Sequence, residues 1–369
     1  MVRVTHGTND VVHTSDGRCY VDLVSSTGAV FLGHANPAVT RAISDQLGRI
    51  SCSWTTECDV TDRCKEVVGR HLPDGLHLYS LFNSGTEAAD VALRIACAVT
   101  GRRGAIGFRN GHHGKAVAVQ QLTGSAEIVP EVVGFEPIGF LPDLSEGEIL
   151  DQLDGALAGR DVAAVFIEPM QGRGCGYAAS PAFHRELSSR CRAAGALVVC
   201  DEIFTGMYRT GAAVRYPALG LQPDIVLLGK ALGNGFPVSA VALGSDLRFH
   251  PKDFRFSSTY SDSPLACAAV IGVVEEMERI GVAARVARIA AALASIEAPP
   301  DAEVRHVGAA YFLDLGSTRT VAAVHEQLEA AGVLALRRET VLGLLPPATI
   351  TDAHLDLVVD VMNEALGAR

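Results

Sequence analysis

Lysine is nearly absent: the 369 residues contain only Lys65, Lys115, Lys230 and Lys252, so any chemistry that needs an amine has four candidates. Positive charge is short overall, with 31 Lys and Arg against 42 Asp and Glu and a net charge of -11, which argues against a nucleic-acid-coating surface. No apolar run approaches the roughly 18 residues of a membrane span, and the start MVRVTHGTND has no basic-then-apolar signal. Neither export nor insertion is supported, and a cytoplasmic location is expected. The nine cysteines form no CxxC pair and none stands at a zinc-finger spacing from histidine. Their odd number and apolar neighbours, as at Cys97 and Cys200, read as reduced core thiols. HExxH, GxSxG and P-loop patterns are missing, which removes the metal, serine-hydrolase and nucleotide-hydrolase readings. His184, His325 and His354 fall on expected helices and read as ordinary surface residues.

What is present is a compact chain. With 48% hydrophobic and 20% charged residues it cannot be a disordered segment, and its length suggests about two domains. Three short apolar runs, Val162–Ile167, Ala196–Cys200 and Asp224–Leu228, are strand-length and end before polar or glycine residues. Pro181–Ala194 between them has helical spacing with Gly195 as its stop, a crossover helix. Thr86–Val99 repeats apolar residues at helical intervals and ends before Gly101. A long helix is expected over Leu265–Glu278, running toward the Pro299-Pro300 break, followed by a strand at Ala309–Leu313, a helix near 319–331 and a closing helix over Asp352–Leu366. The alternation implies an α/β fold with a mostly parallel central sheet flanked by helices, plus a smaller α/β carboxyl-terminal domain. The expected division is residues 41–264 for the large domain and 265–369 for the small one, with residues 1–40 packing on the latter.

In parallel sheets ligands collect beyond the carboxyl ends of the strands, which singles out Glu168, Asp201 and Lys230. Lys230 lies in LLGKALGNGFP, and an amine in such an apolar stretch is either a snorkelling side chain or a partly desolvated nucleophile. Asp201 ends a strand; it either caps the next turn or holds a positive charge on a heteroaromatic nitrogen. Asn83-Ser84-Gly85-Thr86 enters a helix, where the hydroxyls either cap it or help its free N–H groups hold a phosphate. A phosphate turn, a strand-end aspartate and a lysine downstream are together the components of a pyridoxal-phosphate site.

Seven ordered stretches, YVDLVSSTGAVFLGHANPAV, FNSGTEAADVALRIA, GFRNGHHG, FIEPMQG, CDEIFTGMYRTG, PDIVLLGKALGNGFPVSAVALG and SSTYSDSPLACAA, resemble the class III aminotransferases of the fold-type-I pyridoxal-phosphate transferases. That family includes ornithine, acetylornithine and 4-aminobutyrate aminotransferases and glutamate-1-semialdehyde aminomutase. The resemblance implies that Lys230 bonds the cofactor and that Asp201 pairs with its ring nitrogen. It implies that Ser84, Gly85 and Thr86 hold its phosphate, and that Thr259 reaches the phosphate of a neighbouring subunit in a homodimer. Ile203 would pack on one face of the ring, His112 would stack on the other, and Glu168 and Gln171 would line the pocket.

Several departures bear on substrate. His112 stands where an aromatic residue is usual, Asp90 where glutamate is common, and Phe204 where many members have glutamine. Gly343, three residues before Pro346-Pro347, replaces an arginine that binds substrate carboxylate in amino-acid-specific members; Arg173, Arg337 or Arg338 would have to substitute. The expected activity is transfer of an amino group from a small-molecule donor such as glutamate to a carbonyl acceptor lacking an α-carboxylate, such as a keto or aldehyde sugar or an aminocyclitol. An aminomutase or racemase with the same cofactor, and a non-catalytic scaffold of the same fold, are the alternatives. Arginine- and alanine-rich, lysine-poor composition fits a GC-rich genome, in which small specialised aminotransferases serve antibiotic biosynthesis.

Overall fold

The computed structural model describes residues 3–53, 56–123, 134–159, 161–247 and 256–367. Three strands open the chain, β1 (Val4–Thr8), β2 (Val11–Thr14) and β3 (Cys19–Asp22). The central sheet takes β4 (Leu76–Phe82), β5 (Gly104–Phe108), β6 (Phe135–Ile138), β7 (Val162–Ile167), β8 (Leu197–Asp201), β9 (Ile225–Leu228) and β10 (Ser239–Gly244). Near the carboxyl terminus come β11 (Glu303–Val307), β12 (Ala310–Asp314), β13 (Val333–Leu334), β14 (Leu336–Arg338) and β15 (Val341–Leu344).

The central order is β4-β10-β9-β8-β7-β5-β6, with only β10 antiparallel to its neighbours. Helices cover it, so β7 and β9 are buried along their whole length, which is why they read as unbroken apolar runs. Gly85–Thr100 shows why one covering helix forms where it does. Ser84 caps its first turn by accepting from the Glu87 N–H, and Gly101 ends it in a left-handed conformation at φ 70°. Its buried face is rich in Ala88, Ala89, Ala92 and Ala96, whose small side chains let it lie close on the sheet. Pro181–Ala194 follows the same logic, with Ser180 as cap, Pro181 in the first turn and Gly195 at φ 67°.

The first three strands do not stand alone. β13 pairs in parallel with β3, Val333 opposite Val21 and Leu334 opposite Asp22, so the two ends of the chain share one four-stranded sheet. A second four-stranded sheet, β11-β12-β15-β14, is antiparallel throughout. The helix Pro264–Ile280 is buried along most of its length and packs on the helices Pro37–Leu47 and Asp59–Gly69. Gly272 permits that crossing, since a Cβ there would meet the Ala42 Cβ at 2.9 Å.

Several expectations need correction. The Leu265–Glu278 helix does not run on toward Pro299; Gly281 turns the chain at φ 61° and a separate helix, Val282–Leu293, follows. His184 is not a surface residue but fully buried, its Nδ1 2.8 Å from the Ser180 carbonyl, and burial pushes its pKa down. His325 and His354 are partly covered, the latter 2.7 Å from the Asp10 carboxylate. Not all cysteines are core thiols: all nine are free, but Cys19 and Cys52 are exposed and Cys97 is only half-buried. Among the described residues no helix is long and apolar enough to cross a membrane, and no cluster of His, Cys, Asp or Glu is arranged to hold a metal ion.

Candidate active site

Three parallel strands deliver three charged residues to one edge of the sheet. Glu168 follows β7, Asp201 ends β8, and Lys230 lies two residues beyond β9. Lys230 adopts φ +46°, a left-handed conformation that costs a non-glycine residue about 1–3 kcal/mol and is found where surrounding contacts fix a functional side chain. Its Nζ lies 4.8 Å from the centre of the Phe204 ring. Burial lowers the Lys230 pKa below that of an ordinary lysine, against the opposing pull of Glu168 and Asp201. Among the described residues the other lysines lack this setting, Lys65 being on the helix Asp59–Gly69 and Lys115 exposed; Lys252 lies outside the described residues.

Asp201 is buried and held from two sides. One oxygen accepts the Ile203 N–H at 3.1 Å, and the other accepts from His113 Nδ1 at 2.8 Å. His113 is itself 2% exposed; burial alone would lower its pKa, but the hydrogen bond and attraction of Asp201 carry it above the ordinary imidazole value. Glu168 accepts the His112 N–H at 2.7 Å and the Gly172 N–H at 3.0 Å. Its burial, strengthened by repulsion from Asp201, pushes its pKa up to about 7. His112 moves the other way, down to about 4, because it is desolvated and lies near the positive charges of Lys230 and Arg173. The imidazole is therefore neutral at ordinary pH.

The Ser84–Thr86 turn meets this group through Ile203. A Cβ on Gly85 would lie 2.7 Å from Ile203 Cδ1, and one on Gly229 would lie 3.3 Å from the same side chain, so Ile203 is wedged between the helix start and the residue before Lys230. The Ser84 hydroxyl caps Glu87 at 3.2 Å, and Ser239 donates to the Ser84 carbonyl at 2.7 Å. The first N–H groups of a helix have no intrahelical acceptor, which leaves those of Gly85 and Thr86 for an anion. Thr86 Oγ1 accepts the Lys115 N–H at 3.2 Å, and Gly114, at φ +115°, passes so close to Thr86 that a Cβ would lie 2.6 Å from that oxygen. The His112–Lys115 loop is thereby pinned across the helix start.

Gln171 donates from Nε2 to the Arg109 carbonyl at 2.9 Å, while its buried Oε1 has no hydrogen-bond partner among the described residues. Phe204 is buried, tilted against Phe312 with ring centres 6.2 Å apart, and touched by the backbone of Gly172 and Gly28. Gly343 lies in β15 between Phe312 and Leu336, where a Cβ would meet both at 3.2–3.3 Å. Thr259 is exposed, its carbonyl 3.7 Å from Cys52 Sγ; its neighbour Ser258 helps hold down the Glu87 carboxylate at the helix start.

Three residues escape a sequence reading. His113 shows only as the second histidine of His112-His113-Gly114. Glu202 is buried, its pKa pushed up to about 7 by desolvation, and ties down the Arg215 and Tyr216 N–H groups at 2.6 and 2.7 Å. Arg209 is fully buried with no carboxylate at ion-pair distance among the described residues. It donates to the carbonyls of Ala309, Pro346 and Gly28 at 3.0, 2.7 and 3.2 Å and lies over the Phe31 ring. Desolvation lowers its pKa to about 9.

The family model for class III aminotransferases matches residues 1–366. The 2-aminoadipate transaminase of Pseudomonas putida is 31% identical over 397 residues, covering 99% of this chain and 95% of that protein. The LysW-aminoadipate semialdehyde/glutamate semialdehyde transaminase of Sulfolobus acidocaldarius is 30% identical over 372 residues, covering 98% of this chain and 94% of its own. In fold, the crystal structure of a transaminase from the marine bacterium Virgibacillus superposes with a TM-score of 0.91 at 23% identity, covering 100% of this chain and 93% of that one. The chain belongs to the class III aminotransferases, enzymes of the α/β fold-type-I architecture whose cofactor is pyridoxal phosphate.

Proposed function

We propose that the enzyme transfers an amino group from an amino-acid donor, glutamate foremost, to a small carbonyl acceptor whose reacting carbon bears no carboxylate, such as a keto sugar, aldehyde sugar or aminocyclitol ketone. The observation that carries this reading is Gly343. It stands between Leu336 and Phe312 beside an apolar cluster containing Met170, Phe204, Phe312 and Leu345, and supplies no cation there for an acceptor carboxylate. An apolar wall leaves no buried charge to be stranded by a neutral substrate. The Sulfolobus acidocaldarius relative is named for semialdehyde substrates, whose carbonyl is an aldehyde.

The residues present fit pyridoxal phosphate: an open helix start suits its phosphate, a buried carboxylate its ring nitrogen, and Gln171 Oε1, without a partner among the described residues, could accept from a bound group. When bound, the cofactor supplies an electron sink for negative charge developing on the substrate carbon. We assign Lys230 to holding the cofactor and to carrying the proton between substrate and cofactor carbons, a role suited to an amine made less basic by burial. Asp201 holds the ring nitrogen protonated, and His113, which must donate from Nδ1 to a carboxylate, fixes the orientation of that carboxylate. Ser84, Gly85 and Thr86 would hold the phosphate, and Ile203 and His112, the latter a neutral imidazole, would flank the ring. Glu168 positions His112 through its backbone N–H, and Gln171 and Phe204 line the substrate side. Thr259, exposed near the helix start, serves the phosphate of a second subunit, so the working enzyme is a homodimer. Nine free thiols suit a reducing compartment, and we place the enzyme in the cytoplasm.

The test is a matrix of amino donors and carbonyl acceptors with products identified by mass. At least one neutral aldehyde or ketone should be aminated. Activity confined to α-amino and α-keto acids would overturn the neutral-acceptor assignment.

A further inference from the structure

Two guanidinium groups at the rim of the site lack a counter-charge among the described residues. Arg173 follows Gly172, whose backbone lies against Phe204 so closely that a Cβ would meet its ring at 2.7 Å. Phe204 in turn covers Lys230 Nζ. Arg173 is thus one residue from the pocket wall, and its charge contributes to keeping His112 neutral. Arg338 arrives from the opposite end of the chain and donates from Nη1 to the Arg173 carbonyl.

Strand alternation decides which of the two adjacent arginines on β14 takes part. Leu336 and Arg338 point to one face and Arg337 to the other. Leu336 packs on the cluster that contains Phe204, Met170 and Phe312, so the face bearing Arg338 is the one turned to the site. Other arginines nearby are engaged. Arg305 pairs with Glu303 at 2.8 Å and Asp314 at 3.3 Å, and Arg209 is enclosed by backbone carbonyls. Neither Arg173 nor Arg338 has a carboxylate within ion-pair distance among the described residues. Both side chains are exposed, Arg338 is held at the backbone of Arg173, and a planar donor fork matches a carboxylate in geometry and sign.

We propose that Arg173 and Arg338 form the clamp for the carboxylate of the amino-acid donor, a role that rests on the aminotransferase reading above and replaces the cation that Gly343 cannot supply. An apolar wall at Gly343 and Phe204 and a cationic rim at Arg173 and Arg338 let one site take a neutral acceptor and a charged donor in turn.

Glutarate, a dicarboxylate without an amino group, is the probe. Its affinity for the cofactor-loaded enzyme is measured by calorimetry for wild type, Arg173→Gln, Arg338→Gln, the double variant and Arg337→Gln. Each of the first two substitutions should weaken binding about 10-fold and the double about 100-fold, the range for charge-assisted hydrogen bonds, while Arg337→Gln leaves it unchanged. The KM for glutamate should rise in parallel, while turnover of an amine donor without a carboxylate stays the same. Unmoved glutarate affinity in the double variant, or equal damage from Arg337→Gln, overturns the clamp. So does a double variant that sediments as a monomer with glutarate binding intact, because the arginines would then be pairing with the other subunit. Failure of the wild type to transfer an amino group from any donor would instead sink the functional reading, a result separable from glutarate binding.

Discussion

The edge of the central sheet and the rim above it are built on different principles. At the edge, Glu168, Asp201 and Lys230 leave adjacent parallel strands; hydrogen bonds from nearby backbone N–H groups hold the two carboxylates, and Lys230 Nζ lies over the Phe204 ring. At the rim, Gly28, Arg173, Phe204, Arg338 and Gly343 come from stretches as distant in the chain as Gly28 and Gly343, and backbone contacts bring them together. On the roles proposed above, rigid strands set the reacting groups, whereas the meeting of loops and a second sheet sets what substrate reaches them. If so, chemistry and specificity are separable, and substitutions in the two regions should have different signatures.

The largest effect belongs to the edge. Lys230→Ala should reduce turnover by about 10³-fold or more with an unchanged circular dichroism spectrum, if Lys230 is the proton carrier proposed above. Asp201→Asn should retain cofactor but lose about 10²-fold or more in single-turnover rate, because an amide cannot hold the ring nitrogen protonated. Near-normal rates in either variant would break the division of labour.

Arg209 joins the two regions, tying the Gly28 turn, the start of β12 and the Pro346 segment to the loop after β8. Arg209→Met should lower unfolding free energy by about 3 kcal/mol or more, as several buried carbonyls lose their donor. Chemical denaturation of the cofactor-loaded protein checks this, and a loss under about 0.5 kcal/mol, the range of an ordinary surface substitution, would show that the junction is not held there.

A pH experiment addresses the edge alone. Glu168 and Glu202 have folded-state pKa values raised to about 7, so the folded state binds protons that the unfolded chain has released. Stability from these groups is full below the ordinary glutamate pKa of 4.5 and is lost as pH rises toward 7. Glu168→Gln should flatten that decline by roughly half, leaving the share of Glu202. Identical slopes in wild type and variant would mean that Glu168 is charged in the fold at low pH.

The smallest effect is expected at the rim wall. Phe204→Gln should shift the ratio of kcat/KM for neutral and carboxylate-bearing acceptors by about 10-fold toward the latter, with little change in Lys230 chemistry. An equal fall for both acceptor classes would assign Phe204 to the reaction itself.

The edge was the legible part. Val162–Ile167 and Pro181–Ala194 were bounded in the sequence to the residue, because an apolar run, a cap and a glycine stop are local signals. Asp201 and Lys230 stood out because polar residues directly after apolar strands are where parallel sheets place ligands. β1 to β3 escaped because they are short, and β1 is mostly exposed, with no apolar alternation to read. His184 looked solvated because its burial depends on packing of its helix rather than on its own segment. Arg209 carries no local mark at all; its partners are residues 28, 309 and 346, and only the fold makes them neighbours.

The account turns on which amine the cofactor engages. Borohydride reduction of the cofactor-loaded enzyme, followed by proteolysis and mass analysis, should find the pyridoxyl adduct on the peptide containing Lys230 and on no other. An adduct on Lys115, the exposed lysine beside the helix start, would contradict it.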